Sequence, residues 1–296
     1  MKILVTGALG QLGSELRWCF GNSYTRLGVP DVLKQNNDIT YVDLQDLDIA
    51  DLDATVKFVT DGGFDAVINC AAFTNVDMCE TEIDLAYKAN TLGPRNLAIA
   101  CEKIGAKLVH ISTDYVFDGN GTVPYREYDN TCATSIYGKT KAMGEKYIQE
   151  LCSKYFIIRT AWLYGYNGRN FVKTMLALAE KNPSLKVVND QRGNPTNASD
   201  LAHHILKLLT VEQYGIYHGT CNGECSWYEF TVEIMKQAGI NIPVNPCTTE
   251  EFPRPAPRPK YSSLDNLMFR TTVGDEFRPW QEALAEFLEN HLKGEN

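Results

Sequence analysis

The segment SIYGKTKAMGEKYIQEL, residues 135–151, places a tyrosine and a lysine four residues apart, at Tyr137 and Lys141. If the segment is helical, this spacing brings both side chains to one face of the helix. An ammonium group close to a phenol stabilises the phenolate and lowers the tyrosine pKa from its ordinary value of about 10. A tyrosine tuned in this way can exchange a proton at neutral pH, so the pair predicts acid–base chemistry. Two solvent-exposed residues on a helix face are the alternative interpretation.

A second segment, HISTDYVFDGNG, supplies hydroxyl and carboxyl groups. It continues an apolar run, so Ser112, Thr113 and Asp114 are predicted to lie at the end of a buried strand. In a doubly wound sheet the carboxyl ends of the strands form the edge at which ligands bind. Thr113 would then meet Tyr137 and Lys141, and its hydroxyl could donate a hydrogen bond to a carbonyl oxygen that gains negative charge. Asp114 could also be only a turn residue.

The elements that must position these groups are visible as an alternation of apolar and amphipathic segments. Apolar runs typical of strands lie at 2–7, 39–43, 65–71, 107–113 and 155–160. Amphipathic patterns typical of helices lie at 11–20, 51–60, 81–104 and 135–151. Strands that are apolar on both faces and alternate with helices predict a parallel sheet that is covered on each side. The predicted fold class is therefore α/β, with a Rossmann-type doubly wound parallel sheet.

The alternation loosens after residue 160. Helices are predicted at 169–181, 198–210, 226–238 and 277–292, and a strand at 215–220. The segment 243–259 holds six of the twelve prolines, and because proline fixes φ and removes a backbone donor, it is predicted to be a loop. We expect residues 1–160 to form a dinucleotide-binding domain that also receives segments near 198–220. Residues 161–296 would form mainly a smaller C-terminal α/β lobe that binds substrate.

Three glycines follow the first strand pattern in VTGALGQLG, at Gly7, Gly10 and Gly13. Glycine permits a tight turn there and lets the backbone approach a pyrophosphate at the N-terminus of the next helix. The spacing is GxxGxxG, whereas the usual dinucleotide fingerprint is GxGxxG. Because a strand pattern precedes the loop and an amphipathic helix follows it, the loop predicts a cofactor site. A purely structural turn is the alternative.

Acidic and small residues after the next two strand patterns could complete a dinucleotide site. Asp43 can accept hydrogen bonds from an adenosine ribose, although it lies about thirty residues past the glycine loop, since an insertion precedes its strand. Its charge would repel a 2′-phosphate, which favours NADH over NADPH unless a basic residue reverses this. Asp48 is a second candidate, closer to adenine. Ala71 and Ala72 would let the nucleotide approach the backbone, and Thr74 could bind its phosphate or ribose. Solvated loop residues or helix caps are the alternatives for the two aspartates and the threonine.

Bulk composition restricts the partners of the chain. The net charge of −9 and the pI near 5.1 argue against a nucleic-acid-binding surface. No run approaches the roughly 20 apolar residues that cross a bilayer, and the N-terminal apolar run is too short for a signal peptide. Nine scattered cysteines fit reduced thiols, and neither Cys221 with Cys225 nor the adjacent His203 and His204 form a good ligand set. We predict a cytoplasmic protein without a bound metal and without a nucleic-acid or membrane partner.

The order of these motifs resembles the extended branch of the short-chain dehydrogenase/reductase family. Six segments together resemble, within that branch, the dTDP-4-dehydrorhamnose reductase family: GALGQLG, STDYVFDGNG, YGKTKAMGE, IIRTAWLYG, NDQRGNPT and RPKYSSL. They extend from residue 7 to residue 264, so the resemblance covers nearly the whole chain. It implies that NADPH or NADH reduces the C4 ketone of a nucleotide sugar, dTDP-4-dehydro-L-rhamnose, in the last step of dTDP-L-rhamnose synthesis.

The resemblance also implies roles for individual residues. Tyr137 becomes the proton donor, and Lys141 binds the nicotinamide ribose and tunes the tyrosine. Thr113 and Asp114 would contact the sugar. The residues implied to lie along the cofactor are Gln11, Leu12, Asp48, Ile49, Ala71, Ala72 and Thr74.

Two residues of the second half complete the implied substrate site. Trp162 would pack on the substrate, although a tryptophan after a buried strand could equally belong to the core. Arg258 would reach the nucleotide diphosphate, a role that suits the planar set of donors on a guanidinium group. By itself, Arg258 in a proline-rich segment could be a solvated loop charge.

Other functions of the same fold stay open on the sequence. A 4,6-dehydratase typically has an Asp-Glu pair after the strand hydroxyl, whereas Tyr115 follows Asp114 here. A 4-epimerase is harder to distinguish by its residues, but it retains NAD tightly through its cycle. A non-catalytic regulatory subunit, like that of methionine adenosyltransferase, could keep the fold, and the intact set of Thr113, Tyr137 and Lys141 argues against it.

The oligomeric state follows only from the resemblance. Some family members dimerise through a metal that acidic residues hold, one of which matches Glu15. Where a second acid is expected the chain has Ser199, so a metal-bridged dimer is doubtful. We predict a monomer or a weak homodimer. The cofactor preference and the exact deoxysugar are left open by the sequence.

Overall fold

The strands and helices extend through the whole described chain. The computed structural model describes residues 1–294. Its strands are β1 (Lys2–Thr6), β2 (Asp38–Val42), β3 (Ala66–Asn69), β4 (Lys107–Thr113), β5 (Tyr155–Thr160), β6 (Leu163–Tyr164), β7 (Leu185–Val188), β8 (Arg192–Gly193), β9 (Thr196–Asn197), β10 (Gly215–His218), β11 (Cys225–Ser226) and β12 (Val244–Cys247). Its α-helices are α1 (Gln11–Asn22), α2 (Leu52–Gly62), α3 (Val76–Cys79), α4 (Ile83–Tyr87), α5 (Gly93–Ile104), α6 (Ile136–Leu151), α7 (Phe171–Ala179), α8 (Ala198–Leu208), α9 (Trp227–Gln237), α10 (Leu267–Thr271) and α11 (Trp280–Lys293).

Six of the strands form one parallel sheet in the order β10-β5-β4-β3-β1-β2. Every neighbouring pair in it is parallel. The chain moves outward from β1 in both directions, to β2 on one side and to β3 on the other. Such a reversal of strand order opens a crevice at the carboxyl ends of the strands, where ligands of this fold bind. The predicted α/β class with a doubly wound parallel sheet is confirmed.

Both faces of the sheet are buried, which explains the continuous apolar runs. In β1, Ile3 and Val5 pack with α1 and α8, whereas Leu4 between them packs with α2 and α5 on the other face. Alternate side chains of a strand point to opposite faces, so a strand covered on both sides must be apolar at every position. The helix pairs α1 with α8 and α2 with α5 therefore enclose the sheet.

The helix predicted over 81–104 is not continuous. It is divided into α4, a π-helical turn over Lys88–Leu92, and α5. Asn90 in this turn accepts a hydrogen bond from the backbone N–H of Phe73 and donates one to its carbonyl oxygen. The backbone of Gly144 in α6 packs on Asn90 so closely that a Cβ atom at Gly144 would lie 2.3 Å from the Asn90 carbonyl oxygen. These tertiary contacts hold the wider turn, and helical periodicity alone does not reveal them.

The proline-rich segment 243–259 contains a strand, so the prediction of a loop was wrong for residues 244–247. The strand is β12, which pairs in parallel with β7 in a two-stranded sheet. Pro246 lies within it because β12 pairs with a strand on one side only, and an edge strand tolerates a residue without an N–H group. The remaining residues of the segment belong to no regular element, as expected.

The second half of the chain contributes a strand to the central sheet and a helix to the layer that covers it. β10 extends the central sheet beside β5, and α8 packs against α1. The insertion at 21–38 contains a 3-10 helix at Asp31–Lys34 whose Val32 and Leu33 join the main core. The division into a dinucleotide domain and a substrate lobe near residue 160 stays a prediction. Across residues 1–294, none of the helices combines the length and apolar character that a bilayer crossing requires.

Candidate active site

A cleft lies along the carboxyl ends of the sheet strands and consists of two adjoining cavities. The tyrosine cavity has a volume of about 510 Å³, and the aspartate cavity has a volume of about 540 Å³. The predicted residues that line the tyrosine cavity are Gly7, Gly10, Gln11, Leu12, Gly13, Ala72, Thr74, Thr113, Asp114, Tyr137, Lys141 and Trp162. Those that line the aspartate cavity include Asp43, Asp48, Ile49 and Ala71. The two cavities share Gly7, Gly10, Cys70 and Ala72, so a single elongated ligand could occupy both.

The glycine loop forms a tight turn that brings backbone to the surface of the cleft. Gly7 has φ of +64°, which glycine adopts without strain. A Cβ atom at Gly7 would lie 2.6 Å from the Ala71 nitrogen, and one at Gly13 would lie 2.3 Å from the Gly7 carbonyl oxygen. Helix α1 begins at Gln11, and its N-cap residue Gly10 makes no side-chain cap. A helix N-terminus approached only by backbone fits a diphosphate, so the turn fits a dinucleotide.

The two predicted aspartates occupy the aspartate cavity and bind backbone amides. Asp43 accepts hydrogen bonds from the N–H groups of Leu9 and Leu44, each at 2.9 Å, and so ties the end of β2 to the glycine turn. Asp48 accepts a hydrogen bond from the N–H of Ala50 at 2.9 Å. Both carboxylates border the cavity, and each therefore has a structural role in addition to any ligand contact.

Thr74 does not cap the following helix. The side chain of Asn75 caps α3 by accepting a hydrogen bond from the N–H of Met78 at 3.1 Å. Thr74 lines the tyrosine cavity instead. Its hydroxyl is therefore placed where it can meet a ligand.

Tyr137 lies in the first turn of α6, directly over the end of β4. Ser135 begins this helix by accepting a hydrogen bond from the N–H of Gly138 at 3.1 Å. The Tyr137 ring meets Tyr115 edge to face, with 5.5 Å between the ring centroids. Burial raises the pKa of Tyr137 above its usual range, against the opposing effect of a hydrogen bond with Thr113. The phenol consequently stays protonated at neutral pH, as a proton donor requires.

We expected Lys141 to lower the pKa of Tyr137, but burial of the phenol outweighs any such effect, and the role of Lys141 in tuning the tyrosine stays a prediction. Lys141 is buried, and its Nζ atom donates to the carbonyl oxygen of Ile111 at 2.6 Å and lies 3.2 Å from Nε2 of His110. Burial lowers the pKa of Lys141 to about 8, while the charge of Glu145 opposes this shift. The i, i+4 spacing places tyrosine and lysine on one helix face, but it does not determine which group the ammonium contacts.

The two hydroxyls at the end of β4 have different partners. Ser112 donates to Oε1 of Glu145 at 2.5 Å, and Glu145 forms a buried ion pair with Arg159 at 2.7 Å. Thr113 donates to Oδ1 of Asp114 at 2.9 Å. The Ser112 hydroxyl is thus occupied by its hydrogen bond to Glu145, and Thr113 is the hydroxyl associated with Tyr137.

Asp114 is a buried carboxyl group at the floor of the tyrosine cavity. Burial raises its pKa to about 6, although hydrogen bonds, including one from Thr113, act in the opposite direction. Within residues 1–294, its Oδ2 atom has no hydrogen-bond partner of good geometry, although the Ser262 hydroxyl lies near enough to the carboxylate to lower its pKa. A buried polar atom without a partner is unfavourable unless a ligand or water satisfies it, so Asp114 fits a contact with a ligand hydroxyl.

The two predicted substrate residues of the second half differ in placement. Trp162 lines the tyrosine cavity, and its ring stacks on Trp227 with 3.5 Å between centroids. Arg258 borders neither cavity, and its guanidinium donates to Oδ1 of Asp77 at 2.8 Å. The structure thus brings Trp162 to the other candidate residues but leaves Arg258 in an ion pair outside the cleft walls.

Trp227 and Arg169 are two of the cleft residues that were not predicted from the sequence. Trp227 lies within the capping box formed by Ser226 and Glu229, and the SWYE pattern could have revealed this helix start. Nothing in that pattern indicates that Trp162, which lies between β5 and β6, is its neighbour. Arg169 lines the tyrosine cavity from the loop before α7. That loop contacts the glycine turn, because Asn170 donates to Oε1 of Gln11 at 3.1 Å.

Glu15, which matches a metal-binding acid of some family members, forms an ordinary hydrogen bond with Ser199. Ser199 donates to Oε1 of Glu15 at 2.7 Å, and Arg26 lies 3.8 Å from the same oxygen. Burial raises the pKa of Glu15. In residues 1–294 no cluster of three or more His, Cys, Asp or Glu side chains has the geometry to bind a metal ion.

Comparison with known proteins identifies the family. A family model described as the RmlD substrate binding domain matches residues 1–293. A dTDP-4-dehydrorhamnose reductase from Streptomyces griseus is 39% identical over 96% of this chain and 91% of its own. The chain belongs to the dTDP-4-dehydrorhamnose reductase family. The resemblance that the six sequence segments indicate is confirmed, as is the prediction of an oxidoreductase.

Solved structures of this family have the same fold as the chain. A dTDP-4-dehydrorhamnose reductase from Clostridium acetobutylicum is 50% identical, with a TM-score of 0.92 over 98% of this chain and 99% of that one. A dTDP-4-dehydrorhamnose reductase from Bacillus anthracis in complex with NADP is 41% identical, with a TM-score of 0.90 over the same shares. A spore coat polysaccharide biosynthesis protein, SpsK of Bacillus subtilis, is 43% identical over 97% of both chains.

Proposed function

We propose that this chain reduces the C4 ketone of dTDP-4-dehydro-L-rhamnose to give dTDP-L-rhamnose, with NADPH or NADH as the reductant. The observation that supports this most is the position of Tyr137 and Thr113 in one cavity with the glycine turn. Reduced nicotinamide, when bound, supplies the hydride. The protein then has to bind and orient both ligands and to deliver one proton to the carbonyl oxygen.

Tyr137 is the proton donor in this proposal. Its buried phenol is protonated at neutral pH and lies next to Thr113. The Thr113 hydroxyl can turn from Asp114 to the substrate oxygen and stabilise the charge that develops there. Lys141 donates one of the three N–H groups of its ammonium to the Ile111 carbonyl, so an N–H is left for a ribose hydroxyl.

The cofactor would lie across both cavities. The glycine turn and the start of α1 would receive its diphosphate, and Asp43 would accept from the adenosine ribose. The residues that we assign to the cofactor are Gly7, Gly10, Gln11, Leu12, Gly13, Asp43, Asp48, Ile49, Ala71, Ala72, Thr74, Tyr137 and Lys141. The B. anthracis relative was solved in complex with NADP, which supports a nicotinamide dinucleotide as the cofactor.

The substrate would occupy the remainder of the tyrosine cavity. Asp114 offers its unpartnered oxygen to a sugar hydroxyl, and Trp162 offers an apolar surface to the sugar ring. Arg258 would have to leave Asp77 to reach the nucleotide diphosphate. We propose that Arg258 exchanges the Asp77 carboxylate for the diphosphate, since a guanidinium group can form paired hydrogen bonds with either anion.

We further propose that the enzyme acts in the cytoplasm as a monomer or weak homodimer, with neither nucleic acid nor membrane as a partner. The net charge of −9 supports the exclusion of nucleic acid. The Ser199–Glu15 hydrogen bond supports the absence of a metal-bridged dimer, because the serine occupies the place of a second acidic ligand.

The test is oxidation of NADH or NADPH that depends on dTDP-4-dehydro-L-rhamnose. The variant Tyr137→Phe should lose activity by about 10²- to 10⁴-fold, the usual contribution of general acid catalysis, while it still binds cofactor. Tyr128→Phe is the matched control, because Tyr128 is an exposed tyrosine outside the cleft. Full activity in Tyr137→Phe would refute the catalytic assignment. Purification of the protein with stoichiometric, tightly held NAD would instead favour a 4-epimerase.

A further inference from the structure

Trp162 has a backbone conformation that its side chain disfavours. Its φ is +47°, and among residues 1–294 Ser23 is the only other non-glycine residue with positive φ. Ser23 is the C-cap of α1, where a left-handed residue is common. No helix end accounts for Trp162, which lies between β5 and β6. A bulky residue in this region costs about 1–3 kcal/mol and persists only if its surroundings hold it.

Two residues from other parts of the chain hold the Trp162 ring. The Trp227 ring lies parallel to it, with 3.5 Å between centroids and 8° between planes. Gly193 of β8 lies against its edge, where a Cβ atom would be 2.7 Å from Cε2 and 2.8 Å from Nε1 of the indole. The absence of a side chain at Gly193 and the stacked ring of Trp227 together define one position for Trp162.

Trp227 is itself firmly placed. It is the first residue of α9, which begins with the capping box of Ser226 and Glu229. The Phe171 ring packs against it with 4.4 Å between centroids. Trp227 can therefore serve as a fixed support under the strained residue.

The stack leaves Trp162 available to the cavity that contains Tyr137. Trp227 covers one face of the indole, and Trp162 lines the tyrosine cavity while remaining half-buried. An indole surface suits the C–H face and the methyl group of a 6-deoxyhexose, which are apolar. A ring held in the same cavity as Tyr137 would fix the position of the sugar relative to the proton donor.

We propose that Trp227 and Gly193 are positioning residues that hold Trp162 in its strained conformation as a rigid wall for the sugar ring of the substrate. This inference rests on the proposed function. Trp227 and Gly193 would then affect the binding of the sugar part of the substrate, and they would not affect the binding of the nucleotide part or of the cofactor.

The experiment compares the binding of dTDP-L-rhamnose and of dTDP by calorimetry, with cofactor present. In Trp227→Leu and in Gly193→Ala, the affinity for dTDP-L-rhamnose should fall about tenfold or more, while the affinities for dTDP and for NADPH stay within about twofold of wild type. Gly193 does not line either cavity, so its effect on the sugar would be indirect, through Trp162 or through Ser262, whose Oγ atom would lie 2.9 Å from the same Cβ atom. An effect shared by Gly193→Ala and the Trp227 variants points to Trp162, which both residues contact. Trp227→Phe keeps an aromatic ring under Trp162 and should bind dTDP-L-rhamnose almost as tightly as the wild type. It tests the role of the ring even if Trp227→Leu does not fold.

Trp280→Leu is the matched control. Trp280 also begins a helix and also packs on Phe230, but it lies outside the cleft. The Trp280→Leu substitution should reduce thermal stability without changing the ratio of the affinity for dTDP-L-rhamnose to that for dTDP. An unchanged ratio in both Gly193→Ala and the Trp227 variants would overturn the positioning role alone. If the wild type binds dTDP-L-rhamnose no better than dTDP, the proposed substrate is refuted and the sugar wall with it.

Discussion

Lys141 and His110 are in contact inside the protein, with 3.2 Å between Nζ of the lysine and Nε2 of the imidazole. Both residues are buried, and His110 also lies 2.9 Å from Nδ2 of Asn69 through its Nδ1 atom. Burial and the neighbouring ammonium hold the pKa of His110 well below its usual range. The imidazole is therefore neutral over the pH range in which Lys141 changes its charge.

We expect activity to decline as the pH rises through about 8. Burial lowers the pKa of Lys141 to about 8, so the ammonium that we assign to the ribose loses its proton there. Of the other groups near it, Cys70 has its pKa raised to about 12 by burial and Tyr137 also has a raised pKa, so neither titrates in this range. The measurement is kcat/KM against pH, which reports groups of the free enzyme.

Lys141→Arg separates the lysine from other causes of such a decline. Arginine stays charged throughout this range, so the variant should be slower at every pH but should lack the decline near pH 8. A wild-type profile that is flat from about pH 7 to 9.5, or an identical decline in the variant, would contradict the assignment to Lys141.

Asp114→Asn should change the pH dependence of stability. Burial raises the pKa of Asp114 to about 6 from an ordinary 3.8, so the folded protein binds the proton more tightly than the unfolded chain does. Between about pH 4 and 6 the free energy of unfolding of the wild type should therefore fall as pH rises, by about 2–3 kcal/mol relative to Asp114→Asn. Denaturant unfolding of both proteins at several pH values measures this difference.

The same variant tests the ligand contact of Asp114. Asparagine keeps the size of the side chain but loses a charged acceptor, so the KM for the keto sugar should rise about tenfold with little change in the KM for NADPH. If the free energy of unfolding changes with pH in the same way in both proteins from pH 4 to 6, the pKa of Asp114 is not raised by burial.

The sequence predicts the first half of the fold well, for a physical reason. A strand buried on both faces is apolar throughout, as in β1, and such runs alternate with amphipathic helices up to residue 160. The second half has two-residue strands such as β8 and β9, which are too short to show a period. β12 was missed because prolines in an edge strand look like those of a loop.

The sequence indicates which candidate residues lie together where successive motifs carry them, and it does not indicate contacts between remote segments. Thr113, Tyr137 and Lys141 lie in successive elements of the alternation, and the structure places all three in one cavity. The hydrogen bond from Lys141 to the Ile111 carbonyl depends on how α6 packs on β4, which residue spacing does not encode. Trp227 meets Trp162 across 65 positions of sequence, so no local pattern could pair them.

Asp43→Asn should shift the cofactor preference towards NADPH. The Asp43 carboxylate borders the aspartate cavity, where the adenosine ribose would lie, and it would repel a 2′-phosphate. Removal of one charge near the surface of the protein is worth about 1 kcal/mol, so the ratio of kcat/KM for NADPH to that for NADH should rise about fivefold. Asparagine retains one carbonyl oxygen, which can accept from the N–H of Leu9 or of Leu44 but not from both, because these groups donate to different oxygens of Asp43.

Asp46→Asn is the control for this shift. Asp46 is exposed, accepts a hydrogen bond from the N–H of Asp43, and does not line the cavity. It removes the same formal charge from the same turn, and the cofactor ratio should change by less than about twofold. Equal shifts in the two variants would show a general effect of net charge, and no shift in Asp43→Asn would place the ribose elsewhere.

Two glycines of α1 should respond oppositely to alanine. A Cβ atom at Gly13 would lie 2.3 Å from the Gly7 carbonyl oxygen and 2.7 Å from the Cα atom of Ala8, so Gly13→Ala must displace the turn that approaches the cofactor. Gly21 lies in the same helix with open space around it. Gly13→Ala should destabilise the protein by about 1–3 kcal/mol and weaken NADPH binding at least about tenfold. Gly21→Ala should leave NADPH binding unchanged and stabilise the helix by up to about 1 kcal/mol. Thermal unfolding and cofactor titration of the two variants measure both effects, and normal NADPH affinity in Gly13→Ala would remove the glycine turn from the cofactor site.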